Sequence, residues 1–204
     1  GIGLELMLLV KDPWKIYLTT DHPNAGPFTS YPKVMTWLMS KDARARVLAR
    51  INKNARRRLD LGGIEREYTL EEIAIVTRAG TSKSLGLKKK GHLGVGADAD
   101  IAVYSIDVSS IDPSRDYEDV RKALAKAAYT IKNGEIVVKD GEVVATPTGR
   151  TYWVDPKVSI DLMQETTASL SAKFEEYYTV RMANYPVEEN YLESPARIEA
   201  VAEV

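Results

Sequence analysis

"KIYLTTDHPNAGPFTSYP", residues 15–32, is the stretch on which the reading of this chain turns. Its first six residues are rich in β-branched and aromatic side chains and predict a buried strand. The strand runs out at Asp21 and His22 into a loop holding Pro23, Asn24, Gly26 and Pro27. A carboxylate and an imidazole just past the C-terminal end of a strand sit where α/β barrels build active sites. There, Asp21 could ligate a metal ion and move protons. The same residues also read as a bend set by Pro23 and Asn24. Spacing alone favours the bend, because a lone Asp-His pair is a weak motif.

Before this stretch, "GIGLELMLLV" places Leu4, Met7, Leu8 and Leu9 on one helical face. It is apolar but lacks the basic start and small-residue cleavage site of a signal peptide. A chain that opens in mid-pattern on such a face is expected to be a piece of something larger. After the loop, Pro32 is placed to open a helix whose apolar face is Val34, Trp37 and Leu38. A second helix is expected from Ser40 or Lys41, carrying Leu48, Ile51, Ala55 and Leu59, and ending at "DLGG". Thr69 and Glu72 form a capping box for a third, with Ile73 and Val76 facing inward and Gly80 stopping it.

From residue 81 the texture changes. "GVGADAD" leads into an expected strand, Ile101 to Tyr104. Three short β runs follow, punctuated by Asn133-Gly134 and Asp140-Gly141, the strongest short-range hairpin signals. Residues 117–127 are expected to be helical. From 151 onward, "TYWVD" is strand-like, and "SIDLMQETTASLSAKFEEYYTV" predicts a long helix with Met163, Leu170, Phe174 and Tyr177 on one side. The tail after Asn184 is expected to be loosely ordered at its end.

The 204 residues include 44% hydrophobic and 28% charged side chains, with a net charge of −1. That balance makes no electrostatic case for nucleic acid or a membrane surface. No apolar run approaches the ~20 residues of a membrane span. Cysteine is absent, so thiolate metal sites, disulfides and cysteine nucleophiles are excluded, and a cytoplasmic location is expected.

The only histidines are His22 and His92, so the chain cannot supply a histidine-rich metal site, although a catalytic zinc commonly takes three protein ligands. His92, in a basic turn, reads as a surface residue. "GVGADAD" lacks the Lys-Ser/Thr of a phosphate loop and enters a strand, so Asp98 and Asp100 read as turn formers. Ser82 and Ser84 have no histidine partner in a nucleophile context. Residues 41–58 carry eight Lys or Arg against one acid, Asp42. Such a run usually marks a solvated helix face; docking of an acidic partner or an anionic substrate is the other reading.

Three stretches in this order resemble the metal-dependent amidohydrolases. "IYLTTDHPN" is similar to their last barrel strand. "YTLEEIAIVTRAGTSKSLGLKKKGHLGVGADADIAVYSID" is similar to the helix and return strand after it. "IKNGEIVVKDGEVV" is similar to the closing hairpin of the accompanying β-sandwich. More narrowly, "DPWKIYLTTDHPNAGPFTSYPKVMTWLMSK" and "TYWVD…FEEYYTVRMANYPV" resemble the A-type subunits of formylmethanofuran dehydrogenases. The A-type subunit of the methylotroph formyltransferase/hydrolase complex is the nearest rival, and a hydantoinase- or dihydroorotase-like enzyme leaves the tail unexplained.

This resemblance implies an α+β fold that is the C-terminal part of an amidohydrolase. Residues 1–80 would be the end of a (β/α)8 barrel, 81–150 β-sandwich segments, and 151–204 a subunit-specific extension with a long helix. It implies a parent subunit that interconverts N-formylmethanofuran with formate and methanofuran at two zinc ions, within carbon dioxide reduction in methanogenesis. Molybdenum or tungsten pterin and Fe–S clusters would sit on partner subunits. Asp21 matches the metal-binding, proton-shuttling Asp; His22 and Asn24 flank it and could touch substrate. The remaining ligands would lie upstream of this chain, leaving it inactive alone and open to self-association through uncovered apolar surface. A non-catalytic β-sandwich assembly module is the competing reading.

Overall fold

A computed structural model describes residues 1–179, 181–186, 188–192 and 195–201. The fold is α+β, and the chain divides into two compact units, Gly1–Pro147 and Thr148–Val204.

The first unit starts with α1 (Ile2–Leu9), of which Met7 and Leu8 are buried while Leu9 is exposed. Helix α2 (Tyr31–Met39) opens with Pro32 in its first turn and buries Met35, Thr36, Leu38 and Met39. Ser40 then both ends α2 and caps α3 (Lys41–Leu48): its Oγ accepts from Ala43 N (3.1 Å) and donates to Ser114 O (2.7 Å). The single helix expected up to Leu59 is broken here. Residues 49–52 leave the helix, and Asn52 caps the short α4 (Lys53–Arg56) by accepting from Asn54 N at 2.8 Å. A side chain that bonds its own backbone in this way competes with helix continuation. Leu48 and Leu59 still pack against the core on either side of the break.

The capping box at Thr69 forms in full: Thr69 Oγ1 accepts from Glu72 N (3.1 Å) and Glu72 Oε2 accepts from Thr69 N (2.9 Å). It opens α5 (Leu70–Ala74), which continues through a wider π turn, Ile75–Ala79, into α6 (Gly80–Ser84). Gly80 therefore does not stop this helix; its φ of −62° is helical. It is glycine because a Cβ there would lie 3.0 Å from the Tyr17 ring. The left-handed conformation arrives later, at Gly86.

Residues 15–20 depart from the sequence reading. They are not part of any sheet; Pro13–Lys15 is a 3-10 turn and the rest is extended chain without a ladder partner. One backbone bond anchors them, from Leu18 N to the Val76 carbonyl (2.9 Å) within the π turn. The composition of a buried strand is present, but no other described strand lies alongside to complete it.

The β unit forms as expected. Strands β1 (Ile101–Tyr104), β2 (Ala127–Lys132), β3 (Glu135–Lys139) and β4 (Glu142–Val143) make an antiparallel meander in that order. Asn133-Gly134 and Asp140-Gly141 turn it, all four residues at positive φ, the geometry that matches strand twist. Helix α7 (Tyr117–Ala125), between β1 and β2, buries Tyr117 and places Val120 in the helical core. Lys90 clamps the "GADAD" entry: its Nζ pairs with Asp98 Oδ2 (3.0 Å) and with Asp100, whose other oxygen accepts from Asn133 N (2.8 Å). Asp98 and Asp100 thus tie the entry loop to the first hairpin.

The core gathers Leu38, Met39, Ile73, Val76 and Val120, all at most 3% exposed, with Met7 and Leu8 from α1. Burying side chains of this size contributes ~1.5–3 kcal/mol each. Arg44 is 2% exposed within the same region. Its guanidinium donates to Trp37 O (2.8 Å), Ile64 O (3.0 Å) and Arg66 O (3.0 Å). Burial pulls its pKa down, opposed by the fields of Glu67 and Glu65.

In the second unit, β5 (Tyr152–Lys157) pairs in parallel with β6 (Ala196–Val201), and α8 (Ile160–Tyr178) starts at Ser159, whose Oγ accepts from Leu162 N at 3.2 Å. No residue of α8 is buried: Met163, Leu170 and Tyr177 are exposed, and the Phe174 ring meets those of Tyr178 and Tyr185 at a tilt. The tail expected to be loose contains β6; its last residues, 202–204, lie outside the described residues.

Two outcomes follow from these contacts. Replacing Arg44 by Met leaves three part-buried carbonyls without their donor and should destabilise the chain by about 3 kcal/mol, read from its urea unfolding midpoint; a loss of less than about 1 kcal/mol would refute the role given to it. The Lys90 hydrogen bond, then the Asn133 N–H and the nearby lysines, hold the Asp100 carboxyl below its usual range against partial burial. Its contribution is therefore complete above pH ~4, the ordinary carboxylate value, and is lost as pH falls below that. Asp100→Asn should lower the melting temperature slightly at neutral pH, solvent screening keeping the loss small, and the difference from wild type should shrink as pH falls below the ordinary carboxylate range.

Candidate functional site

The chemistry-bearing loop hangs from a fixed point. Leu18 is held by Val76, Tyr17 packs on Gly80, and the Tyr17 hydroxyl donates to Trp14 O at 3.1 Å. Ile16 and Leu18 pack against the core. Alternation along extended chain puts Tyr17 and Thr19 on the other side. Three residues past Leu18, the chain reverses at Asp21.

Asp21 adopts a left-handed backbone, φ +47°. Asp tolerates this region better than most residues because its short side chain can bond locally. Its N–H donates to Thr19 Oγ1 (3.1 Å), and its carbonyl accepts from Ala25 N (3.0 Å), closing a tight turn. The carboxylate accepts no hydrogen bond and forms no ion pair among the described residues, and it is exposed. His22 is exposed too, its ring stacked on Phe28 at 4.0 Å between centroids. Asn24 lies on the outside of the same turn. The turn brings Asp21, His22 and Asn24 close in sequence and space, yet no hydrogen bond joins Asp21 to His22, so they form no acid–base dyad.

A groove of about 580 Å³ opens beside the loop. It is floored by Leu4, Met7, Ile16, Leu18 and Trp37, and rimmed by Thr20, Ala25 and Gly26. Asp21, His22 and Asn24 do not line it. Thr20 is 9% exposed, and its hydroxyl has no hydrogen-bond partner. No group of three His, Cys, Asp or Glu side chains converges to hold a metal ion among the described residues. The donor set on this loop is one hard oxygen ligand, Asp21, with an imidazole whose face is covered by Phe28.

The other candidates resolve into structure. His92 Nδ1 accepts from Gly94 N (3.1 Å), which leaves Nε2 to donate to Lys88 O (2.9 Å), so both ring nitrogens brace a turn. The aspartates of "GADAD" are taken by Lys90 and by backbone. Sequence reading did not find the Phe28 stack or the unpartnered Thr20 hydroxyl. The paired threonines of "LTT" were the only available sign of the latter, since one of two adjacent strand positions must face inward.

Residues 4–138, well over half of the chain, match the model of the amidohydrolase family. The chain belongs to the amidohydrolase family. Its match ends inside β3, but similarity to individual members runs further. The chain is 49% identical to protein FwdA of Methanocaldococcus jannaschii over 196 residues, covering 95% of this chain and 34% of FwdA. It is 40% identical to the A-type subunit of the formyltransferase/hydrolase complex Fhc of Methylorubrum extorquens, over 85% of this chain and 30% of that relative. The crystal structure of that FhcABCD complex with methylofuran superposes with a TM-score of 0.71 at 33% identity, covering all of this chain and 35% of the matched one. This amidohydrolase is thus FwdA-like, and it spans about a third of the length of the relatives it matches. No helix among its described residues is long and apolar enough to cross a membrane.

The orphaned hydroxyl gives a direct check. Thr20→Val keeps the shape and removes a buried group that has lost its water without gaining a partner. Thermal melting of the chain should show it unchanged or stabilised by up to about 1 kcal/mol; a loss of that size would mean the hydroxyl is satisfied.

Proposed function

We propose that this chain forms the C-terminal third of an FwdA-like subunit, and that Asp21 is one ligand and the proton carrier of a two-zinc amide-hydrolase site. The observation that carries it is the state of Asp21: an unpaired, solvent-facing carboxylate at the end of a core-anchored extended segment. Turn-forming aspartates normally spend their oxygens on neighbouring N–H groups. Asp21 spends none, although its backbone makes the turn.

The donor chemistry fits one corner of a zinc site, since Zn²⁺ accepts carboxylate oxygen alongside imidazole. The remaining donors would come from outside residues 1–204. Zinc, when bound, supplies an acidified water at neutral pH. Asp21 takes up the proton at a carboxylate oxygen and releases it to the amine nitrogen of the departing methanofuran. Run in the other direction, the same transfers condense formate with the amine. The Asp21 carboxylate is exposed, on a backbone held in the left-handed region by the turn. His22, flattened against Phe28, offers an edge to substrate, and Asn24 an amide.

On this reading, residues 1–80 close a (β/α)8 barrel, 81–150 belong to a β-sandwich and 151–204 form the extension. The segment 15–20 would gain its ladder from barrel strands of the whole subunit. The whole subunit would interconvert N-formylmethanofuran with formate and methanofuran in the cytoplasm, beside partner subunits that carry the molybdenum or tungsten pterin and the Fe–S clusters. The higher identity to FwdA than to the Fhc relative, 49% against 40%, favours the dehydrogenase over the methylotroph complex.

The test uses the whole subunit that contains this chain. Asp21→Asn should cut formamide hydrolysis by roughly 10²–10⁴-fold, the usual worth of a positioned acid–base group, while melting temperature holds. It should also lower zinc content measured by atomic absorption. Unchanged activity and zinc in a folded variant would turn the reading toward a non-catalytic assembly module.

A further inference from the structure

The basic run at residues 41–58 is not used by the loop chemistry, and the structure sorts its members. Arg44 is internal, and Lys41 is paired with Glu65. Arg46 and Arg50 line instead a second pocket of about 290 Å³ beside α2, α3 and α7, which shares Lys33 and Trp37 with the groove next to the loop. Lys33 reaches it from α2 and Arg121 from α7. Four cations therefore line one small cavity, against a single carboxylate, Glu118.

That carboxylate is committed. It accepts from Arg121 Nε at 3.0 Å and lies 2.9 Å from its Nη2. Lys33, Arg46 and Arg50 have no carboxylate within ion-pair distance among the described residues. Two of the three are nevertheless held in place by aromatic faces: Lys33 Nζ lies 5.0 Å from the Trp37 ring centre, and Arg46 Cζ lies 5.5 Å from that of Tyr117. Tyr117 and Thr36 are themselves buried, so the walls of the pocket are rigid. All four cations are at exposed positions, so the order of Lys33 and Arg46 over the pocket rests on these two ring contacts. Convergence of unpaired cations over a fixed floor costs self-repulsion, which an anion relieves. Ordering the side chains in advance also lowers the entropy lost on binding.

We propose that this pocket binds a compact polyanion, a multiply charged phosphate or carboxylate group, with Arg46 and Arg50 as its principal donors. Guanidinium forks bind both oxyanion types bidentately, and Lys33 adds a point charge. The cavity has room for a small ligand or a ligand's charged end. It is distinct from the Asp21 loop and does not depend on the zinc reading.

The experiment is isothermal titration calorimetry of the chain 1–204 with pyrophosphate and, separately, with citrate, at low and at physiological salt. One saturable site, weakened by salt, is expected for at least one of them. Pyrophosphate alone would assign phosphate, citrate alone would assign carboxylate, and both would assign charge without selectivity. Arg46→Gln and Arg50→Gln should each weaken binding by about 10-fold, the worth of one charge-assisted hydrogen bond. Arg57→Gln, in the same run but outside the pocket, should leave affinity unchanged. If Arg46→Gln unfolds the chain for want of the Tyr117 contact, Arg50→Gln and Lys33→Gln, both at exposed positions, decide. No saturable binding of either anion would overturn the proposal, and so would an equal loss in Arg57→Gln.

Discussion

A buried guanidinium organises the helical half of this molecule. Arg44 reaches the last turn of α2 at Trp37 and the incoming chain at Ile64 and Arg66, so one side chain of α3 ties two other backbone segments together. Its planar fork suits this role, since one group can donate to several carbonyls in fixed directions. Burying a charge is costly unless its donors are used, and only Nε is left without a partner. From the segment so fixed, Arg66 donates to Leu8 O at the end of α1 and pairs with Glu72 at 2.7 Å. Its guanidinium also covers the ring of Tyr68, whose hydroxyl donates to Met7 O. Helix α1, α2 and the start of α5 are thus referred to one another through two arginines. Shape in the core comes from Leu38, Val76 and Val120, but the relative placement of the helices comes from these polar ties.

The Asp21 loop inherits its position from that frame. Capping by Glu72 sets the start of α5, the π turn follows, and Val76 presents a carbonyl to Leu18. Close approach of Tyr17 to Gly80 fixes the other side of the segment. The loop therefore begins from a rigid point, while its own side chains remain exposed. Such a division suits a functional loop, which needs a fixed base and uncommitted side chains.

Much of this was legible in the residues because local rules and tertiary context agreed. The Thr69 box, the strand Ile101 to Tyr104 and the two hairpin turns follow from short-range chemistry, and each formed where its residues stood. Local signals misled where packing decided. Gly80 looks like a helix stop by composition, but its small size serves Tyr17. The run of apolar spacings from Leu48 to Leu59 concealed the Asn52 cap. Residues 15–20 have strand composition but no strand, because a ladder is a relation between segments and not a property of one. Asp21 could be picked out by its place after that segment; its free carboxylate and the stacking of His22 on Phe28 required coordinates. The pairing of Lys33 with Trp37, and of Arg46 with Tyr117, was equally hidden, since composition does not say which aromatic face a cation will cover.

The single tether of the extended segment has a consequence for local motion. Amide protons held in a ladder escape to solvent only when several bonds open together. Here one bond, Leu18 N to Val76 O, stands between residues 16–20 and release. Packing of Ile16 and Leu18 on the core, and of Tyr17 on Gly80, keeps the segment in place where a ladder would otherwise do so. Neighbouring amides would exchange quickly while those of α2 stay protected. The edge it exposes is a row of backbone donors and acceptors, available to any strand that comes alongside.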